Sequence, residues 1–253
     1  MKHKLKQAFA TVALLLCSMV AMAQTTATIT VDGIKYELDE TEKTATVVRS
    51  SYVGNIVIPE TVEHNGVVCS VTKIRDNAFH DCNRLKSVII PNSVTTMGQG
   101  AFEGCSNLKS ITIPNSVTTI YTGTFMYCDG LKSITIPNSV TTIGQNAFSS
   151  CDGLTSVTIP NSVTTIGYDA FSYCSGLTRI TIPNSVTKIG RGAFSNCTGL
   201  ISISVMSEVP PTIEDNIINE NDYRKVTLYI PKSSISKYET TKYWIKFRKK
   251  QKL

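Results

Sequence analysis

Six cysteines, Cys82, Cys105, Cys128, Cys151, Cys174 and Cys197, follow one another at intervals of 23 residues. Pro91, Pro114, Pro137, Pro160 and Pro183 keep the same step, as do Phe79, Phe102, Phe125, Phe148, Phe171 and Phe194. No insertion breaks the register from Leu85 to Val205. A spacing that strict makes each unit one coil of a stack. A single unit cannot bury its apolar residues alone, whereas neighbouring coils share a continuous core. The chain therefore reads as one elongated domain rather than two globular ones.

Each position in the unit has a physical role. In Leu108-x-x-Ile111-x-Ile113 the alternating pair points inward from a short strand, and Leu108 begins the inward turn. Proline then removes a donor and ends the pairing. Val117-Thr118-Thr119-Ile120 alternates again and predicts a second extended segment on another side of the coil. Ala101-Phe102 falls in a tight turn or short helical piece, with the phenylalanine filling the interior. The pattern is the L-x-x-L-x-L core of leucine-rich repeats. It predicts a mostly β, right-handed solenoid with a parallel sheet of strands near 86–90, 109–113, 132–136, 155–159 and 178–182.

The ends differ from the repeats. Lys2, Lys4 and Lys6, an apolar run around Val12–Leu16 and the small-x-small Ala21-Met22-Ala23 predict a cleavable export signal over 1–23. Cys17 follows Leu16 rather than the small residue that lipoprotein processing needs. Residues 24–58 form an N-terminal cap: Thr28–Val31 and Lys35–Leu38 alternate on either side of Asp32-Gly33, a hairpin signal. The repeats occupy 59–205, the first of them divergent, with a longer loop at His64-Asn65-Gly66. Residues 206–253 form a C-terminal cap, with a strand at Val226–Ile230, a short helix over 233–242 and Tyr243, Trp244 and Phe247 as a cover. The closing Lys246, Arg248, Lys249, Lys250 and Lys252 read as a solvated basic terminus, with an acidic surface polymer or lipid as its alternative contact.

The unit I-P-N-S-V-T-x-I-G-x-x-A-F-x-x-C-x-x-L-x-x-I-x-I resembles the BspA-like leucine-rich repeats of secreted and surface proteins of Bacteroides-type bacteria. The resemblance extends to Val31-Asp32-Gly33-Ile34-x-Tyr36 at the entry and to Leu228-Tyr229-Ile230-Pro231, Tyr238 and Trp244 at the close. It implies adhesion to host proteins or to other bacteria. Arg75 and Tyr121 replace the glycine found at Gly98, Gly144, Gly167 and Gly190, and Thr124 replaces the usual alanine. No wall-anchoring motif is visible.

Chemistry-bearing residues are sparse. The cysteine column reads as buried thiols used as small apolar groups. Equivalent side chains on stacked coils point in parallel, whereas a disulfide needs Cβ atoms about 3.8 Å apart. Residues 24–253 also hold seven cysteines, an odd number. A straight column does not converge on a zinc ion. His64 and His80 accompany no nucleophile elbow, and Asp81, next in sequence to His80, is a poor acid–base partner for it. Asp129 and Asp152 share a repeat position that suits Asp-Gly turns better than a calcium clamp. No catalytic, cofactor or metal site is predicted. The body without its basic tail is close to neutral, which argues against a nucleic-acid partner.

Two surfaces remain. The strand face presents Lys86, Lys109 and Lys132 among columns of serine and threonine. The variable turns carry the aromatic side chains Tyr121, Tyr127, Tyr168 and Tyr173, with Met126 beside them. Binding surfaces favour such anchors. The reading is an exported, non-enzymatic binding scaffold, secreted or at the cell surface, with a protein partner on a host or neighbouring cell. A glycan ligand is the alternative. The mature chain is expected to contain no transmembrane span.

Overall fold

The computed structural model describes residues 26–253; the predicted export signal lies outside them. The chain forms a β-solenoid of about nine turns, wound so that equivalent residues stack. Along one face lie nine short strands: Gly54–Val57, Leu85–Ile89, Ser110–Thr112, Ser133–Thr135, Ser156–Thr158, Arg179–Ile182, Ser202–Val205, Thr227–Ile230 and Lys249–Lys252. Paired strands are parallel and in repeat register, as in Ser87↔Ser110, Ser133↔Ser156 and Arg179↔Ser202. The hydrogen-bonded ladder on this face falls into three segments, breaking between Thr112 and Ser133 and between Thr158 and Arg179. A second face carries two-residue strands whose isoleucines align as Ile120↔Ile143↔Ile166↔Ile189↔Ile213.

A third intercoil ladder runs through the turns and was not expected. Asn77, Phe79 and Asp81 donate their backbone N–H groups to Gln99, Ala101 and Glu103 of the next coil at 2.8–2.9 Å. Ala78, His80 and Cys82 between them donate within their own turn, to residues three back. The coil is thus tied to its neighbour on three sides, which satisfies backbone groups that a bare turn would leave to water.

Inside, the six repeat phenylalanines are fully buried and stack as a column, with centroids 4.8–5.7 Å apart and planes within 17°. Burying each contributes on the order of 1.5–3 kcal/mol. The cysteines beside them are free thiols, and they do more than fill space. The Cys105 Sγ–H donates to the Phe79 carbonyl at 3.1 Å, and Cys128, Cys151, Cys174 and Cys197 repeat this bond to the preceding coil at 3.0–3.2 Å. Glycine is required at Gly167, where a Cβ would lie 2.6 Å from the Gly144 carbonyl carbon. Tyr121 occupies the same column with Gly98 and Gly144 on the coils to either side of it.

At the N-terminal end Thr26–Val31 and Ile34–Asp39 pair antiparallel around Asp32-Gly33, both at positive φ (48° and 78°). That is the turn whose twist matches a hairpin. The longer loop expected at His64-Asn65-Gly66 is instead a second tight hairpin. Thr61–His64 pairs with Val67–Ile74 through Asn65 and Gly66, at φ 51° and 79°. Asn-Gly is the strongest two-residue signal for this turn.

At the C-terminal end the helix is shorter than expected, Ile235–Thr240, and the basic tail, exposed over most of its side chains, has an ordered backbone. Lys249–Lys252 is the last rung of the strand face, paired parallel with Thr227–Ile230. Burial lowers the Lys250 ammonium pKa, the Arg248 charge acting in the same direction. Its Nζ donates to the Phe247 carbonyl at 2.7 Å. A lysine-rich edge strand also discourages edge-to-edge association with other sheets.

Candidate functional site

In six successive turns two residues adopt the left-handed conformation, four positions apart. The first is Asn77, Gly100, Gly123, Asn146, Asp169 or Gly192, at φ 50–66°. The second is Asp81, Gly104, Tyr127, Ser150, Tyr173 or Asn196, at φ 57–74°. Glycine, asparagine and aspartate tolerate this region; a tyrosine there is out of place. What holds it is the turn ladder: Tyr127 donates its N–H to Ser149 at 2.9 Å and Tyr173 to Ser195 at 2.8 Å. The left-handed φ belongs to the turn that directs these groups at the next coil.

Both side chains are exposed, Tyr127 by 47% and Tyr173 by 56%. They stand two coils apart, about 10 Å at the spacing of neighbouring strands, and only Ser150 occupies their position on the coil between. Tyr121 and the half-buried Met126 belong to the same turn as Tyr127, and Tyr168 to the same turn as Tyr173. Asp169, next to Tyr168, has its carboxyl pKa raised by burial, with the Tyr168 hydroxyl and Arg191 acting the other way. The turn side thus holds four of the predicted aromatic residues on two alternate coils. Lys86, Lys109 and Lys132 are exposed but sit on the strand face. Their backbones form rungs there, Lys109 N–H donating to Lys86 at 2.8 Å and Thr155 N–H to Lys132 at 3.0 Å. The predicted lysines and tyrosines therefore occupy two sides of the coil rather than one site.

The left-handed geometry can be tested directly. Tyr127→Asn is expected to raise stability by about 0.5–1 kcal/mol, because asparagine pays less of the left-handed penalty of about 1–2 kcal/mol. Tyr127→Ala lacks the short polar side chain whose local hydrogen bond lets asparagine tolerate this region, and should stay within about 0.5 kcal/mol of the parent. Urea midpoints decide: equal shifts for both variants would show that Tyr127 is not held in this conformation.

One surface feature was missed at the level of sequence. Thr112, Thr135 and Thr158 with Asn115, Asn138 and Asn161 line a groove of about 660 Å³ that crosses three coils where the strand meets Pro137 and Pro160. The repeated Thr-x-Pro-Asn was the available signal, read only as a strand stop.

The remaining polar clusters find partners within the fold. Asp152 accepts the Ser175 hydroxyl at 2.8 Å. The Asp129 carboxyl pKa is raised by burial and by the Asp152 charge. No group of three His, Cys, Asp or Glu side chains converges to hold a metal among the described residues. His80 Nδ1 lies 3.0 Å from Asp81 Oδ2, closer than expected for sequence neighbours; Asp81 is left-handed, at φ 59°. It also lies 3.2 Å from Arg49 Nη2. The nearby Cys82 thiol is pushed up by burial, which opposes use as a nucleophile. Burial pushes Cys105 and Cys197 up to about 12.

A model described as the BspA type leucine-rich repeat region, in six copies, matches residues 50–178 and 118–240. Among solved structures the chain resembles the leucine-rich repeat protein of T. pallidum, at 29% identity and a TM-score of 0.61, covering 78% of this chain and 83% of that one. It also resembles a leucine-rich cell surface protein of Faecalibacterium prausnitzii, at 28% identity and TM-score 0.58, covering 83% and 72%. A leucine-rich repeat protein of Bacteroides ovatus shares the fold, at 24% identity and TM-score 0.50 over 89% and 76%. No curated protein matches the chain.

Proposed function

The chain belongs to the BspA-type leucine-rich repeat family, and from that premise we propose that it is an exported scaffold whose turn side binds a protein partner at or outside the cell surface. The family is one of repeat scaffolds that are generally non-enzymatic, which supports a binding role. The observation that carries the assignment is the pair Tyr127 and Tyr173, exposed and placed where their own conformational preference would not put them. The left-handed backbone itself belongs to the repeat, since Asp81, Gly104, Ser150 and Asn196 share it; what supports the reading is a tyrosine kept where glycine, asparagine or aspartate costs less. Tyrosine buries large area on binding at small entropic cost. Tyr121, Met126 and Tyr168 extend the patch, while Lys86, Lys109 and Lys132 on the adjoining side speed encounter with an acidic partner. Surface location is supported by the description of the F. prausnitzii relative. Among the described residues no helix is long and apolar enough to cross a membrane.

A second reading is a neutral glycan lying in the Thr–Asn groove, favoured by hydroxyl and amide groups repeated at each coil. One experiment separates the two. A partner captured from host-matrix or neighbouring-cell extracts is titrated against Tyr127→Ala/Tyr173→Ala and against Thr135→Ala/Asn138→Ala. The tyrosine pair is expected to weaken binding at least about tenfold, or about 1.4 kcal/mol, with no change in the unfolding midpoint. Loss in the groove variant with the tyrosine variant intact assigns binding to the groove; loss only on removing the three lysines assigns it to the strand face.

A further inference from the structure

The positive charge of this chain is concentrated at one end. Residues 224–253 hold ten Lys or Arg and one Glu, a net of +9, whereas residues 24–223 hold 12 basic and 18 acidic residues, a net of −6. Within that end, Arg224, Arg248 and Lys246 line a single cavity of about 360 Å³ together with Tyr223, Ile245 and Glu220. The Arg248 N–H donates to the Tyr223 carbonyl at 3.0 Å, so Arg248 is tied to the residue directly before Arg224. Lys246 is occupied: its Nζ donates to Glu220 at 2.8 Å and to Asn216 at 2.9 Å. The guanidinium groups of Arg224 and Arg248 make no hydrogen bond or ion pair among the described residues.

We propose that this cavity binds the sulfate or carboxylate groups of an acidic polysaccharide. Arg224 and Arg248 line one cavity, and an arginine guanidinium carries the rigid fork of donors that matches planar or tetrahedral oxyanions, which a lysine ammonium does not reproduce. The volume is that of a small-ligand site. Of the other cap cations, Lys232 and Lys237 lie on the helical segment and Lys249, Lys250 and Lys252 on the last strand. A flexible polymer can engage charges placed around an end. An amphipathic helix lying in a bilayer surface has no counterpart at this end, where the helix, Ile235–Thr240, has six residues. The site is independent of the turn-side tyrosines and does not rest on their assignment.

The test is a titration of the full chain with a heparin-derived hexasaccharide at low ionic strength, with a neutral dextran oligomer as control. Arg224→Ala/Arg248→Ala is expected to weaken binding at least about tenfold. Arg224→Lys/Arg248→Lys keeps the charge and should still weaken it several-fold, because the fork is lost. Lys237→Ala/Lys252→Ala removes two cap charges outside the cavity and should change affinity by less than about threefold. Equal losses for the lysine and arginine pairs would reduce the effect to diffuse charge and overturn the site. Undetectable hexasaccharide binding, equal affinity for inorganic sulfate alone, or arginine-dependent binding only to phosphatidylserine vesicles would each overturn the polysaccharide assignment.

Discussion

Phe148→Ala is expected to lower the unfolding free energy by about 3–5 kcal/mol, the cost of emptying a fully buried aromatic site. The ring stacks on Phe125 at 5.3 Å and on Phe171 at 5.1 Å, so its loss weakens two coil interfaces at once. Because each coil contacts only its neighbours, stability is close to a sum of coil and interface terms. A hole in the middle therefore lets the two halves open separately. Urea denaturation should show both a lower midpoint and a shallower slope. Phe148→Leu, which keeps most of the volume, should cost less than about 1.5 kcal/mol. An unchanged midpoint for the alanine variant would mean that the phenylalanine column is not a shared interior.

Trp244→Ala tests the other kind of position, a cover over an open end. The indole is fully buried and packs against Tyr238 and Phe247 with centroids 5.3 and 6.0 Å away. Its Nε1–H donates to the Pro211 carbonyl at 2.8 Å. Removal should cost about 3–5 kcal/mol, but the loss is local, because a terminal coil can open without the middle. The amides of Lys249–Lys252 should lose protection against hydrogen exchange at least about a hundredfold, at about 1.4 kcal/mol per tenfold. Amides near Ile143 and Ile166 should change little. Trp244→Phe keeps the bulk and strands one carbonyl, an expected loss of about 1–3 kcal/mol. Uniform deprotection along the whole chain would contradict the local character of this cap.

Part of the candidate site was open to a closer reading. The column Asp81, Gly104, Tyr127, Ser150, Tyr173, Asn196 consists mostly of residues that tolerate a left-handed backbone, so the two tyrosines could have been marked as misfits from their neighbours alone. The cysteine bond to the preceding phenylalanine carbonyl was not legible. A small apolar side chain and a weak donor predict the same column, and only the position of the Phe79 carbonyl over Cys105 separates them. Nor was the cavity that Arg224 and Arg248 line together, since they lie 24 positions apart in sequence and the Arg248 backbone is tied to Tyr223 only in the fold.

The 23-residue step by itself determined the stack, the inward residues and the strand positions, for a physical reason. When every coil has the same length and the same apolar pattern, the in-register parallel arrangement is the one that buries every pattern at once. The hairpin at Asp32-Gly33 was equally local, since two residues at positive φ specify it. The ends were decided only by tertiary structure. Lys249-Lys250-Gln251-Lys252 has no strand propensity and no repeat to copy, yet it pairs along Thr227–Ile230 because an unpaired edge offers its backbone groups a partner that water would otherwise supply. The same holds for the cavity of Arg224 and Arg248, which exists because the chain folds back over its own last coil, where periodicity has stopped.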